Sequence, residues 1–232
     1  MLPIRDDVRS QSFPIMNTLL IAANVIVFFL EAGLSPAQID RVIHLFGFIP
    51  AQFSFLNPIS YLPIFTSMFM HGGWFHIISN MWILFIFGDN VEDRMGSLRY
   101  LVFYLLGGVA AALLHVFVQP TSTMPVVGAS GAIAAVMGAY FLLFPRARVI
   151  SLVPVFIFAW FVQVPAVIYL GVWFVSQLYS GVLSLGGAGG VEMGGVAWWA
   201  HVGGFVFGLL LADVFGTRRK RTRRYMDEYY PW

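Results

Sequence analysis

The sequence predicts an all-α polytopic membrane protein: six transmembrane helices with both termini on the cytoplasmic side. Three observations carry this. Of 232 residues, 59% are hydrophobic and only 10% are charged. A soluble domain carries about 25% charged residues, so these charges are too few to cover a water-soluble globule. Apolar runs of membrane-spanning length recur along the chain. Finally, a six-span arrangement places every Lys and Arg except Arg41 on one side of the membrane. The composition excludes a disordered chain and an ordinary soluble enzyme. With no cysteine, it also excludes a disulfide scaffold, a thiolate nucleophile and a cysteine metal site.

The first expected span is 13–30; no small-x-small cleavage site follows it, so it reads as a span rather than a signal peptide. Residues 31–70 are mixed, with Asp40, Arg41, His44 and prolines at 36, 50, 58 and 63, and read as a long loop on the outer side. Further spans are expected at 74–88, 98–118 and 126–144. Residues 149–185 are then uncharged throughout. As one helix they would reach about 55 Å, against a hydrocarbon core of about 30 Å. They must hold two spans, or one span with an interfacial or re-entrant piece.

Charge parity chooses between these. Arg146 and Arg148 precede the stretch, and six basic residues between Arg218 and Arg224 follow the last span, 197–215. If both groups are cytoplasmic, an even number of spans separates them. That leaves one span in the stretch, at 161–181, with Pro154 and Pro165 as breaks at its start. The whole chain, 1–232, then reads as one membrane domain with a basic cytoplasmic tail at 217–232. A nucleic-acid role for the basic run is not expected, because it directly follows an apolar span.

Polar and ionisable residues inside spans are costly and mark function. They are His76, Asn80, His115, Ser130, His201 and Asp213. Asp213 reads as an interfacial charge beside the basic cluster, and His115 as an interfacial or packed residue. The other four share a depth. Counted from the cytoplasmic arginine bounding each helix, Ser130 stands about 24 Å, His201 about 26 Å, His76 about 27 Å and Asn80 about 21 Å along its helix. Three helices thus bring polar groups to one layer in the outer part of the core. His76 and Asn80 are four residues apart, on one helix face.

A serine hydroxyl needs a base to become a nucleophile, and histidine is the usual one. Ser130 lies within Gly128-Ala129-Ser130-Gly131. Ser130, Ala134 and Gly138 make a small-residue stripe, and Gly204 and Gly208 a GxxxG on the His201 helix. Both favour the close helix packing that would join Ser130 to His201. His76 and Asn80 could donate to an oxyanion.

At this point the chain resembles the rhomboid family of intramembrane serine proteases. The residues that carry the resemblance are His71-Gly-Gly-Trp-Phe-His76-Ile-Ile-Ser-Asn80, Val91-Glu92-Asp93-Arg94, Gly128-Ala-Ser130-Gly131, and Ala200-His201-Val-Gly-Gly204-Phe-Val-Phe-Gly208, in that order. The resemblance implies a rhomboid-like helical bundle and a Ser-His dyad, with Ser130 as nucleophile and His201 as general base, then acid. His76, Asn80 and the Ser130 backbone N–H would form the oxyanion hole. His71, Glu92, Arg94, Gly128, Gly131, Gly204 and Gly208 would be structural, with the Glu92-x-Arg94 pair in the loop after the second span. No carboxylate partner is expected for His201. The apolar piece before Val191 and the fifth span would border substrate entry.

The resemblance further implies an endopeptidase cutting single-span membrane proteins near the outer leaflet, without cofactor or metal. It would sit in a bacterial-type plasma membrane, or alternatively an organelle inner membrane. Rival readings are a transporter built on the polar layer, for which no internal repeat is visible, and a metalloprotease, for which no HExxH is present. A rhomboid-like binder of membrane helices that does not cleave is the third.

Overall fold

The computed structural model describes residues 1–155, 158–186 and 196–216. The piece before Val191, the basic run Arg218–Arg224 and the expected tail at 217–232 lie outside the described residues. The fold is a helical bundle with one small sheet. In chain order it comprises β1 (Leu2–Asp6), α1 (Ile15–Ala32), α2 (Pro36–Phe46), α3 (Leu62–Ser67), α4 (Trp74–Met95), α5 (Ser97–Val118) and α6 (Ser130–Leu143). Then follow β2 (Arg148–Val155), β3 (Phe158–Pro165), α7 (Ala166–Gly186) and α8 (Trp198–Phe215).

Among the described residues, four helices are long and apolar enough to cross a membrane: α1, α5, α7 and α8. Helix α4 has 22 residues, and its last turns carry Asp89, Glu92, Asp93 and Arg94. Helix α6 is apolar but has only 14 residues. The bundle keeps an apolar core but, unlike a soluble protein, also exposes many large apolar side chains, with some polar groups turned inward. On α1 the inward stripe is Asn17, Leu20, Asn24, Phe28 and Glu31, while Leu19, Ile26, Phe29 and Leu30 face outward. Polar groups find hydrogen bonds inside the bundle, and apolar ones face a solvent that tolerates them.

Several expectations are corrected here. The chain is not all-α, because β1, β2 and β3 form a three-stranded antiparallel sheet in that order. And the span placed at 161–181 is instead helix α7, because 161–165 belong to β3. Here β2 and β3 make a hairpin with Arg148 opposite Pro165 and Val155 opposite Phe158. The physical reason is local. Val149 to Val164 is rich in Val, Ile, Phe and Trp, which favour extended backbone, and hydropathy alone cannot separate a strand from a buried helix. Helix α7 starts directly after Pro165, whose missing N–H costs a helix start nothing. Around the site, the 31–70 connection contains two helices, α2 and α3, rather than plain loop.

The sheet ties the chain's beginning to the connection after α6. Leu2 pairs with Leu152 and Asp6 with Val149, with a bulge between Pro3 and Arg5. Trp82 of α4 donates its indole N–H to the Pro3 carbonyl at 2.6 Å. The Asp6 carboxylate accepts from the Tyr140 hydroxyl and from Asn90 Nδ2 at 2.9 Å.

Burial, with Asp89 and Asp7 nearby, pushes the Asp6 carboxyl up to about 6. The docked strand therefore favours the neutral acid more than the undocked strand does. Docking is strongest below the ordinary carboxylate pKa of 3.8 and weakens as pH rises towards about 6. Corrected for intrinsic rates, β1 amides are expected to exchange hydrogen more slowly at about pH 5 than at about pH 7.5. Asp6→Asn should remove that difference.

At the same end, Glu92 closes the start of α1. Its carboxylate accepts from the backbone N–H of Met16 at 3.0 Å and of Asn17 at 2.7 Å, and from the Ser97 hydroxyl. A carboxylate at a helix N-terminus satisfies orphan donors and the positive end of the dipole. Arg94 lies over the Phe144 ring, 5.7 Å from its centroid. Both residues stand on α4, which continues to Met95, not in a loop as expected. Two positions apart on a helix, they face different neighbours.

The core of the bundle is the α6–α8 contact. Residues Gly131 to Tyr140 of α6 are all buried. A Cβ on Gly204 would run into the Gly131 carbonyl oxygen, and one on Gly208 into that of Ala135. The two backbones touch because these side chains are absent.

Candidate active site

Ser130 is the first residue of α6, and the loop before it is held from two sides. Phe48 and Val126 form an antiparallel bridge, with N–H···O distances of 2.9 and 2.7 Å. Gly128 donates to the Ser67 carbonyl at 2.9 Å. Gly128 has φ of +126°, and a Cβ there would press on the His76 ring. Conformation and space both require glycine.

His201 lies one turn into α8. The glycine contacts below it bring Nε2 to 2.8 Å from Ser130 Oγ. Its Nδ1 lies 2.7 Å from Gln177 Oε1 on α7. The Trp173 ring lies tilted against the imidazole, 5.8 Å between centroids. Gln177 is the residue that sequence reading missed. Its signal was an amide side chain of the same kind as Asn80, in the middle of an uncharged span, and it was not included among the polar residues of the spans.

His76 and Asn80 come to the same place. The Gly72 N–H donates to His76 Nδ1 at 3.3 Å. A neutral imidazole accepting at Nδ1 carries its proton on Nε2, and Nε2 is the atom facing Gly128. Asn80 Nδ2 donates to the His76 carbonyl at 2.8 Å, within its own helix. One amide hydrogen is thereby used, which leaves His76 the better placed donor of the pair.

These groups line one cavity of about 590 Å³ together with His115 and Trp173. His115, read from the sequence as interfacial or packed, is fully buried in this wall. Asp213 is exposed near the end of α8, away from the cavity lining. His71 stands behind His76, with 5.1 Å between ring centroids, and its backbone N–H donates to Glu31 at 3.1 Å. Burial pushes its imidazole pKa down to about 4. It supports His76 from behind and does not line the cavity. Of the expected structural glycines, Gly128 shapes the loop, while Gly131, Gly204 and Gly208 set the helix approach.

A helical bundle with apolar, membrane-length helices and a part-buried, hydrogen-bonded Ser–His pair at an internal cavity defines a class of membrane protein with a polar site in its interior. The rhomboid domain family matches residues 59–218, and this chain belongs to that family. It is 34% identical over 123 residues to the mitochondrial presenilin-associated rhomboid-like protein A of Danio rerio, covering 48% of this chain and 32% of that protein. It is 28% identical over 155 residues to mitochondrial rhomboid protein 1 of Saccharomyces cerevisiae, covering 65% and 41%. Rhomboid-like protease 5 of Toxoplasma gondii is 35% identical over 154 residues, covering 62% and 15%. The chain thus spans less than half the length of each of these relatives. Two of the three are mitochondrial by name, so a bacterial-type plasma membrane gains no support from them.

Proposed function

We propose that this protein is an intramembrane serine endopeptidase that cuts single-span membrane proteins near the outer leaflet. One observation carries this reading: Ser130 Oγ stands 2.8 Å from His201 Nε2 at a cavity inside an apolar bundle. Helices α1, α4, α5, α6, α7 and α8 are the six spans. The β1–β2 pairing supports this count, since it sets the N-terminus and the chain after α6 at one end. Every Lys and Arg except Arg41 then lies on the inner side, whether the membrane is a bacterial plasma membrane or an organelle inner membrane.

Helix α6 is about 21 Å long, shorter than the hydrocarbon core of about 30 Å. Ser130 therefore stops below the outer surface, and the cavity admits water to it. A substrate helix reaches the site laterally and unwinds locally, because its hydrogen-bonded amides are otherwise closed to attack. Helix-weak segments with small residues are the expected targets. Ser130 Oγ attacks the carbonyl carbon while its proton passes to His201 Nε2. The oxyanion forms at the N-terminus of α6, facing its unpaired N–H groups and the His76 Nε2–H. Collapse breaks the C–N bond, and the amine leaves with the proton from His201. Water then cleaves the ester by the same route.

The test is cleavage of a single-span substrate by the purified protein in liposomes, with a chelator control and a fluorophosphonate to trap Ser130. Cleavage insensitive to chelator and blocked by the phosphonate supports the reading. Intact substrate across several sequences and lipids overturns it in favour of a non-cleaving binder. Within an active preparation, His76→Ala is expected to lower kcat by about 10²-fold, with KM little changed. Asn80→Ala should lower it less, since the Asn80 amide donates to its own helix.

A further inference from the structure

Gln177 is buried, 6% exposed, and one end of its amide faces His201. Oxygen and nitrogen of an amide are told apart by their hydrogen bonds. The other end of this amide lies 3.1 Å from Ser176 Oγ. Ser176 Oγ in turn lies 2.6 Å from the carbonyl oxygen of Trp173. A carbonyl only accepts, so the single hydroxyl proton of Ser176 goes to Trp173. Towards Gln177 the Ser176 oxygen can then only accept. The end of Gln177 that meets it is the NH₂, and the end that meets His201 is the oxygen.

An amide oxygen also only accepts. His201 must therefore carry a proton on Nδ1. A neutral imidazole has one ring proton, so Nε2 presents a lone pair, and Nε2 is the nitrogen beside Ser130 Oγ. We propose that Gln177 is a positioning residue that holds His201 in the one tautomer able to take the Ser130 proton. The setting starts at the Trp173 backbone and runs through Ser176. Residues 173, 176 and 177 occupy a single turn of α7, and the Trp173 ring adds a wall against the same imidazole. In soluble serine hydrolases a buried carboxylate orients the histidine. Here a neutral amide does so without placing a charge inside an apolar bundle. Ser176 is exposed on α7, and its hydroxyl proton is committed to the Trp173 carbonyl of its own helix.

The inference rests on the protease reading for its function, but its central statement is about a proton and can be read directly. The experiment is ¹⁵N NMR of histidine-labelled protein in micelles, with His201 assigned from the His201→Ala spectrum. Wild type is expected to show His201 protonated at Nδ1 and bare at Nε2. Gln177→Leu should give mixed or reversed tautomers and lower kcat by about 10²-fold with KM unchanged. Gln177→Glu keeps an acceptor at the same reach and should restore the tautomer and most of kcat. Ser176→Ala frees the amide to turn over and should give an intermediate loss in a chain that folds normally.

Wild-type His201 protonated at Nε2 overturns the inference, and proteolysis by that same sample leaves the protease reading standing. Gln177→Leu with unchanged tautomer and kcat also overturns it. The Nδ1–H tautomer in a wild type that cleaves nothing supports the assignment and sinks the protease reading.

Discussion

Ser130→Ala and His201→Ala are each expected to lower kcat by on the order of 10⁶-fold, the scale seen when a serine or histidine is removed from a hydrolase dyad. The double variant should lose no more than either single one. The reason is that the two groups make one step. Without Nε2 at 2.8 Å, the Ser130 hydroxyl keeps its proton and attacks poorly. Without the hydroxyl, His201 has nothing to activate. Substrate capture should survive in Ser130→Ala, because the cavity walls from α4, α5 and α7 are untouched. The measurement is turnover of one single-span substrate by the four proteins, beside pull-down of the uncut substrate. Cleavage by Ser130→Ala at near the wild-type rate would show that the nucleophile lies elsewhere.

Gly204→Ala is expected to abolish the proposed proteolysis through one methyl group added 3 residues beyond His201. Its Cβ would collide with the Gly131 carbonyl oxygen, next to Ser130 in the chain, with the Ala134 side chain 3.2 Å away. Backbone cannot swing aside as the tip of a long side chain can, so α6 and α8 must separate at the height of the dyad. Overpacking of this kind costs about 1–3 kcal/mol, and a shift of about 1 Å at the reacting atoms costs about 10²-fold in rate. Thermal unfolding in detergent and turnover should fall together. Gly171→Ala is the control. It makes the same change within a helix, yet the nearest atom to the new Cβ, on Phe141, is at 3.8 Å. That variant should match wild type or gain slightly in stability. Equal behaviour of the two would mean that the α6–α8 approach does not set the dyad.

The parts legible from the sequence share a cause. Membrane helices must satisfy their own backbone, so spans of fixed length leave long apolar runs. Helices α1, α5 and α8 follow those runs to within about two residues, a margin usual for helix ends. The polar layer was legible because a polar group in a span is rare. Counting residues from the bounding arginines put Ser130, His201, His76 and Asn80 at one depth, and all four line one cavity. The glycines of α6 and α8 announced a close contact by their spacing.

The rest depended on neighbours distant in the chain. Uncharged strand and uncharged helix look alike in hydropathy, and the strand that lies along the free edge of β2 is β1, from the far end of the chain. Glu92 could be seen as part of a motif, but its partners, the first amides of α1, are 75 and 76 positions away. The division of labour within the polar layer was likewise hidden. Which hydrogen of His76 is free depends on Gly72, and whether Asn80 points outward depends on a carbonyl of its own helix. By itself the sequence determined which segments can lie in the membrane and which polar residues stand out within them, because both follow from the cost of burying polar groups in hydrocarbon. Only the tertiary structure decided which partner each polar atom meets, because a hydrogen bond needs two partners at a set distance and Gln177 meets His201 only when α7 and α8 are packed.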